Sequence, residues 1–175
     1  MPAMAKADNY SAVELLRDGR RIEIRSLRPD DREAFVAAVS ATSALSLYRR
    51  FFTAKRSFTE QEVAFFLNVD FDRHVALIAI LEEGERPVVG GSRYVVVEPG
   101  KAEVAFVVVD QYQRQGIGVA LMRHLIAVAD EAGIKELIAE VLPENIAMLK
   151  VFRATGLHLT IRREPQVLHV TLQLE

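Results

Sequence analysis

The sequence predicts a mixed α/β fold built on a mostly antiparallel sheet. Three β-branched runs, His74 to Leu81, Val88 to Val97 and Ala102 to Val109, are split by the turn signals Glu82-Glu83-Gly84-Glu85 and Glu98-Pro99-Gly100-Lys101. One strand–helix–strand unit follows, through a helical pattern at Gln115 to Ala132 and a strand at Leu137 to Leu142. Two more strands close the chain, near Leu157 to Ile161 and Val167 to Leu174. Meanders on both sides of one crossover unit fit neither a doubly wound parallel sheet nor a TIM barrel.

Each element has a local cause. Val13 to Arg17 and Arg20 to Leu27 read as two strands across Asp18-Gly19, a pair that tolerates the positive φ of a tight hairpin turn. Pro29-Asp30-Asp31 suits a helix start, with Phe35, Val36 and Val39 as its apolar face. A second helix is expected over Ser43 to Phe52. Thr59 with Glu62 forms a capping-box pattern that opens a third helix, carrying Val63, Phe65, Phe66 and Leu67. Ile117, Leu121, Leu125, Val128 and Ala129 recur at helical spacing until Gly133 stops them, and a last helix runs from about Glu144 to Thr155 before Gly156.

Composition narrows the function classes. The chain has 175 residues, 50% hydrophobic and 26% charged, which suits one folded domain over 10–175 behind a flexible segment 1–9. A net charge of -2 disfavours nucleic acid as a partner. No cysteine is present, so disulfides, thiolate metal sites and a catalytic thiol are excluded. The longest uncharged run, Ala34 to Tyr48, is shorter than the roughly 20 apolar residues of a membrane span, so a cytoplasmic address with no membrane partner is expected. His74, His124, His158 and His169 lack metal-ligand spacing, and no metal site is expected.

The most informative segment runs from Glu103 to Gly118. Two glycines, Gly116 and Gly118, stand where a strand turns into a long helix. There the unpaired amides and the helix dipole make an anion site, though a turn whose glycines serve packing alone remains open. A P-loop needs Lys and Ser or Thr after the second glycine, where Val119 and Ala120 stand; a dinucleotide fingerprint needs Gly in place of Leu121. What remains, Gln113-x-x-Gly116-x-Gly118, resembles the acyl-CoA pyrophosphate loop of the GNAT family of N-acetyltransferases. A second stretch, Asn145 through Phe152 to Gly156-Leu157, resembles the family's downstream pattern, and the likeness in element order covers Arg20 to Leu174.

That resemblance implies a central sheet of about seven strands flanked by about four helices, acetyl-CoA as co-substrate, and direct transfer to a substrate amine. It assigns the backbone of Val107, Val108 and Val109 to the thioester, with an N–H near Val109 polarising its carbonyl. The pyrophosphate falls to the amides of Gln113, Arg114, Gln115, Gly116, Ile117, Gly118 and Val119. Asn145 is either a helix cap or a contact to the pantetheine or phosphate arm. Phe152 occupies the position of a tyrosine that many members use to protonate the departing thiolate. A thiol of pKa about 8.5 leaves as thiolate at pH 7 for roughly 2 kcal/mol, whereas deprotonating a lysine amine of pKa about 10.4 costs roughly 4.6 kcal/mol, so the base is the heavier requirement. Glu103 stands where members place that base, and the apolar run after it would desolvate it; the alternative is a solvent-facing carboxylate beside Lys101.

Ser46-Leu47-Tyr48-Arg49-Arg50-Phe51-Phe52 resembles a stretch of the bacterial Pat-type protein lysine acetyltransferases, which act on acyl-CoA synthetases. Tyr48, Phe51 and Phe52 at helical spacing equally suit a core-facing helix. The acceptor is then a protein lysine, with a small amine as the alternative, a non-catalytic acyl-CoA sensor as the rival, and a monomer or homodimer as the assembly.

Overall fold

A computed structural model describes residues 7–43 and 59–174. Eight strands form one sheet: β1 (Ser11–Leu15), β2 (Arg21–Ser26), β3 (His74–Leu81), β4 (Val88–Glu98), β5 (Lys101–Val108), β6 (Glu136–Val141), β7 (His158–Arg163) and β8 (Leu168–Gln173). Their spatial order is β1-β2-β3-β4-β5-β6-β8-β7, antiparallel except between β5 and β6. Four helices accompany them among the described residues: α1 (Arg32–Ser40), α2 (Glu60–Leu67), α3 (Ile117–Glu131) and α4 (Ile146–Arg153). The sheet therefore has one strand more than the family expectation. The helix expected over Ser43 to Phe52, and with it the Ser46 to Phe52 segment, lies outside the described residues apart from Ser43.

All eight residues of β3 are buried because the strand is covered on both faces. Val75, Leu77, Ala79 and Leu81 join the main core under α3, with Leu121, Met122 and Leu125. The alternate residues Ala76, Ile78 and Ile80 pack with Val63 and Leu67 of α2. The capping box forms as read: Thr59 Oγ1 accepts from the Glu62 amide at 3.1 Å, and Glu62 Oε1 accepts from the Thr59 amide at 3.0 Å.

The first hairpin differs from its expected two-residue turn. Leu16 turns into the core at 7% exposure, the Leu16 N–H donates to the Arg20 carbonyl at 2.8 Å, and the connection widens to 16–20. Asp18 accepts from the Arg20 amide at 3.0 Å and from its Nε at 2.7 Å, which stabilises this wider turn. The helix expected from Glu144 begins at Ile146 because Asn145 caps it.

One ion pair locks β2 to the approach of α1. Arg25 Nη2 and Nη1 donate to Asp31 Oδ1 and Oδ2 at 2.7 and 2.9 Å, and the Arg28 amide donates to Oδ2 at 2.7 Å. Burial pushes the Asp31 carboxyl up, but these donors outweigh it and hold it below the usual carboxylate range. The stability it contributes is therefore present above the unfolded pKa near 4 and lost as pH falls through the lower folded value. Asp31→Ala is expected to cost about 3 kcal/mol at pH 7 in denaturant unfolding, with the gap to wild type closing below about pH 4.

Candidate active site

The site is built where β5 and β6 part. Their parallel pairing runs only from Lys101–Glu136 to Glu103–Ile138, yet β5 continues to Val108 and β6 to Val141. The edges beyond are splayed. In the β4–β5 ladder Gly91 faces Val107 and Gly90 faces Val108, and the Val109 N–H donates to the Val89 carbonyl at 2.9 Å. Alternate residues of a strand turn their amides to opposite neighbours, so Phe106 and Val108 present theirs to the splayed edge. The amide of Val109 is thus committed to the ladder, and the one near it that faces the opening belongs to Val108. The Val108 carbonyl accepts from Gln113 Nε2 at 2.9 Å, which ties strand to loop.

The loop continues through a 3-10 turn at Asp110–Tyr112. Arg114 takes φ 65° and Gly116 φ 91°, and this left-handed pair swings the chain into α3. The Ala120 N–H donates to the Gly116 carbonyl at 3.0 Å, so the amides of Ile117, Gly118 and Val119 lie ahead of the helical ladder. No acidic residue occupies the first turn. Aligned amides and the positive end of a 15-residue helix suit an anion such as a pyrophosphate.

Gly118 sits at a three-way contact. A Cβ there would lie 3.4 Å from both the Phe106 ring and Val151 Cγ2. Phe152 is fully buried, edge-on to Phe106 with ring centroids 5.8 Å apart at 87°. Asn145 is buried and caps α4, its Oδ1 accepting from the Met148 amide at 3.3 Å. Gln115 serves as a brace, with Oε1 accepting from Arg20 and Nε2 donating to the Gln111 carbonyl at 3.4 Å. Arg20 belongs to the loop's surroundings although it lies 95 residues away in sequence, a proximity that no local pattern signals.

Glu103 departs from its expected environment. Its side chain is exposed, opposite Val95 and Ile138, so the apolar run after it does not desolvate it. The cause is strand alternation: Val104 and Val108 face α3, and only Ala105 and Val107 share the Glu103 face. Lys101 pairs with Glu136 at 3.7 Å. On that same face a cavity of about 80 Å³ opens between α1, α2 and the sheet, with Phe35, Val39, Phe66, Gly91, Arg93 and Val107 among its walls. Among the described residues no cluster of His, Asp or Glu is arranged to hold a metal, and no helix is long and apolar enough to cross a membrane.

A splayed parallel pair feeding a glycine loop and a helix N-terminus defines an acyl-CoA-dependent acetyltransferase fold. Residues 41–157 match the acetyltransferase (GNAT) family, and the chain belongs to it as an N-acetyltransferase that uses acetyl-CoA. It is 33% identical over 156 residues to Acetyltransferase PA5475 of Pseudomonas aeruginosa, covering 88% of this chain and 84% of that protein. It is 33% identical over 144 residues to Acetyltransferase Pat of Mycolicibacterium smegmatis, covering 81% of this chain but only 42% of that longer protein. The crystal structure of the GNAT domain of S. lividans PAT superposes with a TM-score of 0.85 at 34% identity, over 93% of this chain and 96% of that one.

Proposed function

We propose that this chain acetylates the ε-amine of a protein lysine by direct attack on acetyl-CoA, with residues 10–175 acting as one catalytic unit in the cytoplasm. The observation that carries the reading is the splayed β5 edge, which leads through the loop 109–116 to the free amides of residues 117–119. The edge receives the pantetheine arm and the amides receive the pyrophosphate, with Gln113, Arg114, Gln115 and Gly116 shaping the loop. The Val108 and Phe106 amides polarise the thioester carbonyl. Asn145 and Phe152 border the arm from α4, and Phe152 has no proton to offer the thiolate. Zero cysteine leaves no acetyl-cysteine intermediate, which favours a ternary complex.

The likeness to two proteins named Pat supports a protein lysine as acceptor, and an acyl-CoA synthetase is the partner class to try first. Glu103 is the base. Its exposed carboxylate takes the amine's proton through water, which its open setting allows. In the test, titration calorimetry with acetyl-CoA precedes a CoA-release assay with lysine peptides. Binding followed by release supports the reading, binding with no release across an amine panel makes the chain an acyl-CoA sensor, and absence of binding at millimolar acetyl-CoA ends it. Glu103→Gln is expected to lower kcat/KM at pH 7 about 100-fold, with the deficit shrinking as pH nears the amine pKa. An unchanged profile removes Glu103 from the mechanism.

A further inference from the structure

The loop that faces the pyrophosphate is held in a conformation that its own residues disfavour. Arg114 takes φ 65°, a left-handed backbone that is costly for a residue with a Cβ and that persists where neighbours over-determine it. Backbone bonds brace the loop as far as the Gln113 amide, which donates to the Asp110 carbonyl at 3.2 Å, and resume at the Ala120 amide, which donates to the Gly116 carbonyl at 3.0 Å. Side chains hold the stretch between. Gln113 Nε2 fixes one flank of Arg114 by donating to the Val108 carbonyl at 2.9 Å. Gln115 fixes the other flank, and it is half-buried while Gln113, Arg114 and Gly116 are exposed. Through Gln115 the loop meets the body of the protein.

The two bonds of Gln115 differ in strength. Its Nε2 donates to the Gln111 carbonyl at 3.4 Å, a long neutral bond within the same loop. Its Oε1 accepts from Arg20 Nη2, a bond assisted by the guanidinium charge and made from another part of the fold. The second bond is the anchor. Arg20 is itself aimed by the turn 16–20: Asp18 Oδ1 accepts from its amide at 3.0 Å, Asp18 Oδ2 accepts from its Nε at 2.7 Å, and its carbonyl accepts from the Leu16 N–H at 2.8 Å. Ile22 and Ile24 of β2, both fully buried, root that turn in the core. The Asp18 carboxylate balances the Arg20 charge, so the loop receives a fixed direction from Arg20 and little long-range attraction.

Resting on the reading of this loop as the pyrophosphate site, we propose that Arg20 is a positioning residue for acetyl-CoA binding. It clamps Gln115, keeps Arg114 left-handed, and so holds the loop and the amides of residues 117–119 in their binding arrangement before the cofactor arrives. A loop ordered in advance spares the cofactor that ordering cost. Without the clamp the binding arrangement becomes one of several, and the apparent Kd rises by the inverse of its population. If that population falls to about one in ten, Kd rises about tenfold. The acetyl group reacts at the other end of the loop, beside the Val108 amide, which the separate Gln113 bond ties in place. Losing Arg20 therefore weakens binding and spares the chemical step.

Titration calorimetry with acetyl-CoA on wild type, Arg20→Met, Gln115→Leu and the double variant tests this. Each single variant is expected to raise Kd about tenfold and the double variant no further, because both changes break the same bond. Arg20→Lys keeps a charged donor without the planar fork and is expected to fall between wild type and R20M. With a capped lysine peptide as acceptor, KM for acetyl-CoA rises in R20M by the same factor as Kd, while kcat stays within about twofold.

An R20M protein that binds as tightly as wild type overturns the proposal. So does a double variant whose loss is the product of the single losses, since the two side chains would then act independently. A fall in kcat as large as the rise in KM also overturns it, because a general loss of structure explains that pattern. Repeating the titrations with 3′-dephospho-CoA separates positioning from direct contact: an equal loss supports positioning, whereas a loss that vanishes with the 3′-phosphate makes Arg20 a ligand of that phosphate and overturns the proposal. If R20M fails to fold, Gln115→Leu removes the same bond from the loop side, and an unchanged Kd there overturns it. A wild type that does not bind acetyl-CoA at millimolar concentration overturns the pyrophosphate reading and this proposal together, an outcome distinct from a wild type that binds and variants that bind equally well.

Discussion

Phe152→Ala is expected to lower the unfolding free energy by about 3–5 kcal/mol, the largest stability loss predicted for a single site in this chain. The ring is fully buried and meets Phe106 edge-on at 87°. Its removal takes away the area buried by a large aromatic, leaves a cavity between α4 and the sheet, and ends the edge-to-face contact. For a chain of 175 residues the loss corresponds to a fall in Tm of about 10 °C. The absence of a hydroxyl is part of why this position is so well covered, since a buried phenol needs a hydrogen-bond partner that phenylalanine does not. Thermal and denaturant unfolding of the variant measure the effect. A loss under 1 kcal/mol would mean that α4 repacks freely, which the close approach of Val151 to Gly118 opposes.

The sequence was most legible where local chemistry and burial agree. The apolar run of β3 announced a strand, and the structure adds that it is covered on both faces, its alternate residues entering two separate clusters. Thr59 and Glu62 announced the start of α2, and the glycine pair announced the turn into α3. What escaped depends on register. Glu103 was read from the composition of its neighbours, but in a strand those neighbours alternate between faces, and exposure follows from which face β5 turns toward α1 and α2. Arg93 carries no local signal either; it reaches the cavity because the β3–β4–β5 pairing sets it beside Ala105 and His74 beside Val95. Which amide near Val109 faces the splayed edge was open for the same reason, since a ladder's alternation is fixed only once its partner is known, and here it is that of Val108.

The two glycines of the loop are expected to respond differently, and Gly118→Val gives the larger effect on cofactor. At Gly116 nothing lies within 4 Å of an added Cβ, but φ is 91°, so Gly116→Ala costs about 1 kcal/mol through conformation alone. At Gly118 the conformation is helical and space decides. An alanine Cβ meets Phe106 and Val151 at 3.4 Å, ordinary van der Waals contact, and Gly118→Ala is expected to change acetyl-CoA affinity only a few-fold. Valine's two further methyls enter the Phe106 and Val151 rows and force the first turn of α3 away from β5. That displaces the amides of Ile117, Gly118 and Val119 from the anion they face. Losing two charge-assisted hydrogen bonds at about 1.5 kcal/mol each raises the acetyl-CoA Kd about 100-fold. Titration calorimetry of the three proteins measures it. Equal affinities for wild type and Gly118→Val would remove the helix N-terminus as the pyrophosphate site, whereas a loss at Gly118→Val with near-normal binding at Gly118→Ala ties the cofactor to the close approach of α3, β5 and α4.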